Sequence, residues 1–116
     1  MAAFANWDEL TLEEKLALAE RISRLIGKAL GFTPEDDINR DGKLAKPGES
    51  GTVGFFHSKN GISLSDAALA SPKEFLNTLV HEQAHKYQFD NNIDMEADHA
   101  FNYNLGDRVA EGVFKR

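Results

Sequence analysis

Two histidines four residues apart, His81 and His85, lie in a stretch that reads as one continuous helix, and this spacing constrains the chain more than any other feature. Side chains at i and i+4 stand one turn above each other, so both imidazoles share a face and both can reach one tetrahedral metal ion. Glu82 follows the first of them, which completes the HExxH pattern His81-Glu82-Gln83-Ala84-His85. In that pattern the carboxylate lies beside the water that a zinc ion activates, the arrangement general-base hydrolysis needs.

The helix around the pattern is well marked. Ser71 is an N-cap, Pro72 fills the first helical position and Glu74 the third, and Phe75, Leu76, Leu79, Val80, Ala84 and Tyr87 supply the apolar positions. Asp90-Asn91-Asn92 is a turn, after which Ile93, Ala97, Ala100, Phe101 and Leu105 again show helical spacing up to Gly106, with a last short helix over Asp107 to Phe114. Upstream, Leu12, Leu16, Ala19, Ile22, Ile26 and Leu30 predict an amphipathic helix opened by a Thr11/Glu14 capping box and ended at Gly31. Thr33 to Gly51 is polar and aperiodic and reads as a long surface loop. Thr52 to Ser58 and Ile62 to Ser65 are strand-like and joined through Lys59-Asn60-Gly61, which predicts a two-stranded hairpin. The expected order is helix, loop, β-hairpin, metal helix, turn, helix, an α+β arrangement. A strand just before the metal helix offers an unpaired edge that can hold an extended peptide by main-chain hydrogen bonds.

Composition limits the chemistry. The 116 residues suit one domain, residues 1 to 116, able to bury roughly two thirds of the unfolded surface. Thirteen basic against nineteen acidic residues give a net charge of -6 without a Lys/Arg cluster, which argues against nucleic acid and against an anionic membrane surface as partners. Cysteine is absent, so any metal must be held by His and carboxylates, and no disulfide framework exists. Residues 1 to 10 lack the features of an export signal, so the chain as written reads as cytoplasmic, although a domain cut from a larger secreted protein has the same appearance.

The segment Asn77-Thr78-Leu79-Val80-His81-Glu82-Gln83-Ala84-His85-Lys86-Tyr87-Gln88, followed by Asp94-Met95-Glu96-Ala97-Asp98, resembles the zincin metallopeptidases. It is similar to the HExxH domains at the C-termini of bacterial polymorphic toxins and to the helix-pair core of small regulatory peptidases that act on repressors. The strong part of the resemblance covers residues 72 to 104. It implies a minimal zincin in which the HExxH helix packs on the following helix, with His81 and His85 as Zn2+ ligands and Glu82 as the catalytic base. It also implies a peptide bond in a protein as substrate, delivery as part of a larger bacterial protein, and a cognate inhibitor or immunity protein. One departure stands out: where gluzincins supply a glutamate ligand and an aspartate four residues later, this chain has Asp94 and Asp98.

A catalytic zinc takes three protein ligands and one open position, so a third ligand is expected from Asp94, Glu96, Asp98 or His99. If the chain folds back around Asp90 to Asn92, Glu96 has the reach and borders the inward positions Ile93 and Ala100, while Asp94 is better placed as an N-cap. Glu96 is the favoured candidate. A second electrophile for the developing oxyanion can come from His57, His99 or Tyr103. Asp37-Ile38-Asn39-Arg40-Asp41-Gly42 matches the first half of a calcium loop, which makes Asp37 to Asp41 a candidate Ca2+ site, but position 48 is Gly where the bidentate glutamate belongs. The expected function is zinc-dependent endopeptidase activity, as a toxin effector or regulatory protease. The alternative is a non-catalytic, metal-stabilised protein-binding module.

Overall fold

A computed structural model describes residues 6–91 of the chain. A 3-10 turn, Trp7–Glu9, precedes helix α1, Leu12–Leu30. Strands β1, Ile38–Arg40, β2, Gly54–His57, and β3, Gly61–Leu64, follow, then the short helix α2, Asp66–Leu69, and the long helix α3, Pro72–Asp90. The architecture is α+β.

Helix α1 begins where both halves of its capping box close. Thr11 Oγ1 accepts the Glu14 amide at 3.1 Å and Glu14 Oε1 accepts the Thr11 amide at 3.0 Å, so two of the helix's orphan donors are satisfied locally. It ends at Gly31, whose φ of 79° turns the chain out while its amide bonds back to Gly27. The buried stripe Leu18, Ala19, Ile22 and Ile26 meets Ile62 and Leu64 of β3 and Phe75, Leu76, Leu79 and Val80 of α3 to form the core. Trp7 closes one end of it: its indole donates to Leu69 O at 2.9 Å and its ring lies 4.8 Å from that of Phe75.

The expected hairpin is present as β2 and β3, paired antiparallel from Gly54↔Leu64 to His57↔Gly61. Two expectations are corrected. Thr33 to Gly51 is not a loop throughout, because Ile38–Arg40 pairs parallel with β3 in the register Ile38↔Ile62 and makes a three-stranded sheet of order β1-β3-β2. The strand before α3 therefore has no free edge; β3 is central, as its burial fits, and the sheet's edges belong to β1 and β2. Gly61 makes the crowding possible. It adopts a φ of 77°, and a Cβ there would fall 2.1 Å from Asp37 O.

Arg40 holds the end of β1 to the start of α2 through a two-pronged bond to Asp66 at 2.6 and 2.9 Å, a contact that keeps the Asp66 carboxyl below its ordinary pKa. Asp37 and Asn39, offered above as calcium ligands, bond to each other at 2.7 Å, while Asp41 accepts the Lys43 amide at 2.9 Å in a turn. The helices expected after Asn92 lie outside the described residues. Among the described residues no helix is long and apolar enough to cross a membrane.

Candidate metal centre

Helix α3 starts as its sequence directs, with Ser71 Oγ accepting the Glu74 amide at 3.3 Å and Pro72 at the first turn. Its middle is unlike an amphipathic surface helix. From Phe75 to Ala84 nearly every side is covered, and three consecutive polar side chains are buried there: His81 at 7%, Glu82 at 5% and Gln83 at 0% exposure. Burying polar groups costs stability unless each finds a partner, so what surrounds these three decides whether the site is coherent.

Gln83 points away from the histidines, 200° around the helix from His81 at 100° per residue. Its amide clamps one residue of the segment between α1 and β1: Nε2 donates to Glu35 O at 2.7 Å and Oε1 accepts the Glu35 amide at 2.8 Å. Lys86 reinforces the same contact by donating to Thr33 O at 2.9 Å while it pairs with Asp90. The back of α3 is thereby held in one rotation.

The front face carries the candidate ligands His81 and His85. His81 Nε2 and His85 Nε2 stand 3.0 Å apart, with the rings nearly perpendicular at 85°. His85 Nδ1 lies 3.1 Å from Gln88 Oε1. A carboxamide oxygen only accepts, so this contact favours the tautomer with the His85 proton on Nδ1, which turns the Nε2 lone pair toward His81. Two nitrogens bound to one tetrahedral zinc at about 2.0–2.1 Å each are separated by about 3.3 Å, so the observed pair needs a shift of only a few tenths of an ångström to hold such an ion. The donor set fits zinc. Among the described residues no cluster of three His, Asp or Glu side chains is formed, and the candidates for a third ligand, Asp94, Glu96, Asp98 and His99, all lie outside the described residues, as does Tyr103.

Glu82 faces the same cleft, a depression of about 380 Å³ between α3 and the chain leading into β2. Burial raises its carboxyl pKa from 4.5 to about 7, partly countered by a hydrogen bond accepted from the Phe56 backbone amide. In β2 the odd-numbered positions face β3, as the Ser65 amide bonded to Val53 O shows, so the Phe56 amide lies on the strand's free edge. The carboxylate therefore docks α3 against that edge.

Sequence reasoning had no sign of Gly54, where the approach is closest. A Cβ there would stand 2.5 Å from Thr78 Cγ2 and 3.2 Å from both Cγ and Oε2 of Glu82. Gly54→Ala should force β2 off α3 and cost about 1–3 kcal/mol by overpacking, measured by urea denaturation. A loss below about 0.5 kcal/mol would mean that the strand is not seated as described.

The other sequence candidates are elsewhere. His57 is exposed at the end of β2 with Nδ1 accepting the Lys59 amide at 3.1 Å, and it does not line the cleft. Tyr87 is largely exposed and packs its ring on Phe32 rather than on the histidines. Gln88 was missed although it lies three residues from His85, on the adjoining turn of the same face, where an orienting acceptor is to be looked for. His81, Glu82 and His85 are brought together. No protein-family model matches the chain, and no curated protein or solved structure matches it.

Proposed function

We propose that the chain is a zinc-dependent metallopeptidase of the minimal zincin kind its sequence resembles, hydrolysing a peptide bond in a protein substrate. The observation that carries this reading is the pair of imidazole nitrogens 3.0 Å apart, set in one cleft with a buried carboxylate. His81 and His85 hold the metal, and Glu96 from the following segment supplies the third ligand. Zinc bound there supplies a Lewis acid that polarises the substrate carbonyl and acidifies a water molecule.

The chain's own groups do the rest. Gln88 keeps His85 in the tautomer that ligates. Glu82, buried beside the histidines in the same cleft, can take a proton from the attacking water and return it to the departing amine. The backbone from Gly51 to Gly54 forms the cleft wall opposite His81 and His85, and an extended segment can lie between this wall and α3. A cleft this open suits a protein segment better than an enclosed small molecule. An effector domain of a bacterial toxin is the biological setting we favour, on the resemblance of residues 72 to 104.

Metal analysis of the purified, zinc-reconstituted chain is the direct test. About one zinc per chain is expected, with His85→Ala retaining almost none and a chelator removing peptide-cleaving activity from the wild type. A chain that takes up no zinc would end this reading.

A further inference from the structure

The cleft does not stop at the histidines. Its α3 wall is formed by Glu74, Asn77, Thr78, His81, Glu82 and His85. These positions recur at three- and four-residue intervals, so they form one stripe about 16 Å long at 1.5 Å per residue. The facing wall, from Gly51 to Gly54, is uncharged. Glu74 is seven residues from His81, which places it on the same face about 10 Å further toward the helix N-terminus.

Glu74 is also distinguished by what it leaves undone. Glu14 holds the equivalent third position of α1 and turns its carboxylate back onto the Thr11 amide. Glu74 has the same capping context, and Ser71 accepts its amide, yet the reciprocal bond is not made. Among the described residues its carboxylate has no hydrogen bond and no ion pair; it is exposed on the cleft wall. Among the described residues, apart from the proposed metal and base residues, it is the sole titratable group lining the cleft, and no lysine or arginine lines the cleft beside it.

We infer that Glu74 is a specificity residue that selects a lysine or arginine side chain on the segment bound in the cleft. An extended chain advances about 3.3 Å per residue, so 10 Å corresponds to a position about three residues from the bond beside the histidines. The inference rests on the peptidase reading for that bond, while the charge preference itself belongs to the cleft. An exposed ion pair contributes up to roughly a fivefold preference.

Two measurements test it. A mixed peptide library is digested with the zinc-reconstituted chain, and the residues flanking each cut are tallied. Lys/Arg enrichment is expected at one position two to four residues from the cut, lost in Glu74→Gln, inverted toward Asp/Glu in Glu74→Arg, and kept in the control Glu13→Gln. Separately, fluorescein-labelled alanine-based hexapeptides carrying one Lys or one Glu are titrated at low salt against the metal-free chain. The Lys peptide should bind about fivefold tighter, and Glu74→Arg should reverse the order. Cleavage without enrichment, or enrichment that survives Glu74→Arg, overturns the inference. Absence of cleavage with the binding preference intact removes the peptidase reading and keeps Glu74 as the cleft's charge reader. Equal binding of the two peptides in the wild type overturns it.

Discussion

Glu82→Gln is expected to abolish peptide cleavage while making the metal-free protein more stable. The two effects have one cause, a carboxylate held at 5% exposure. On the proposed reading Glu82 is the general base, a role worth about 10²–10⁴-fold in rate that an amide cannot supply. Zinc content should not change, since the proposed ligand set does not include Glu82. For stability the sign follows from the raised pKa, about 7 folded against 4.5 as the ordinary value. Below about pH 4.5 the group is protonated in both states and burial carries no charge penalty. As pH rises from there through 7 the unfolded chain ionises first, so the folded state loses stability, by about 3 kcal/mol at one pKa unit per 1.36 kcal/mol. Glutamine does not titrate, and its Oε1 can still accept from the Phe56 amide. In chelator the variant should therefore exceed the wild type by up to about 3 kcal/mol at pH 8, or about 10 °C or more in Tm, and match it near pH 4.5. Thermal unfolding at both pH values reads the difference, free of every titrating group the two proteins share. A variant that still cleaves within about tenfold of wild type would remove Glu82 from the chemistry. A stability difference independent of pH would mean that the carboxylate is not buried in charged form.

The pattern of what the sequence revealed has a physical explanation. Helices α1 and α3 and the β2–β3 hairpin were legible because each is announced locally: a cap within three residues of its target amide, apolar residues at the right period, Asn60-Gly61 at a turn. Strand β1 was not. Ile38-Asn39-Arg40 has one buried residue and no alternation, and its extended form is sustained by β3 more than twenty positions away. Helix α2 has only four residues. A free edge was expected on β3 for the same reason, since β3 is central only because β1 joins it. At the site the juxtaposition of His81, Glu82 and His85 was readable from helical spacing alone. Gly54 and the Phe56 amide were not, because they are seated opposite α3 by tertiary packing. The third ligand candidates fall after Asn91, outside the described residues.

Gln83 is the other position where a single substitution should have a large effect, and it lies inside the motif at a place the zinc pattern leaves unspecified. Leucine has nearly its size and would fill the same buried space, yet it would strand the Glu35 amide and carbonyl that Gln83 now engages at 2.8 and 2.7 Å. An unmet buried donor or acceptor costs about 1–3 kcal/mol. Glu35 is half-buried, so water recovers part of this, and Gln83→Leu is expected to lose about 2–4 kcal/mol in urea denaturation with an unchanged m-value. Gln83→Glu makes a sharper test of the geometry. A protonated carboxyl reproduces both bonds, donating to Glu35 O and accepting its amide, whereas the ionised form faces a carbonyl oxygen with no proton to offer. The folded-state pKa of the new group should therefore rise, and the variant should approach wild-type stability at pH 4 and fall away as pH increases toward 7. A pH-independent deficit would indicate that only packing is lost; no deficit in Gln83→Leu would mean that the clamp does not hold α3. The clamp matters to the front face because α3 is one rigid rod. With its back released from Glu35, the helix can roll against β2, and the separation of Glu82 from the Phe56 amide and the aim of His81 and His85 into the cleft change together.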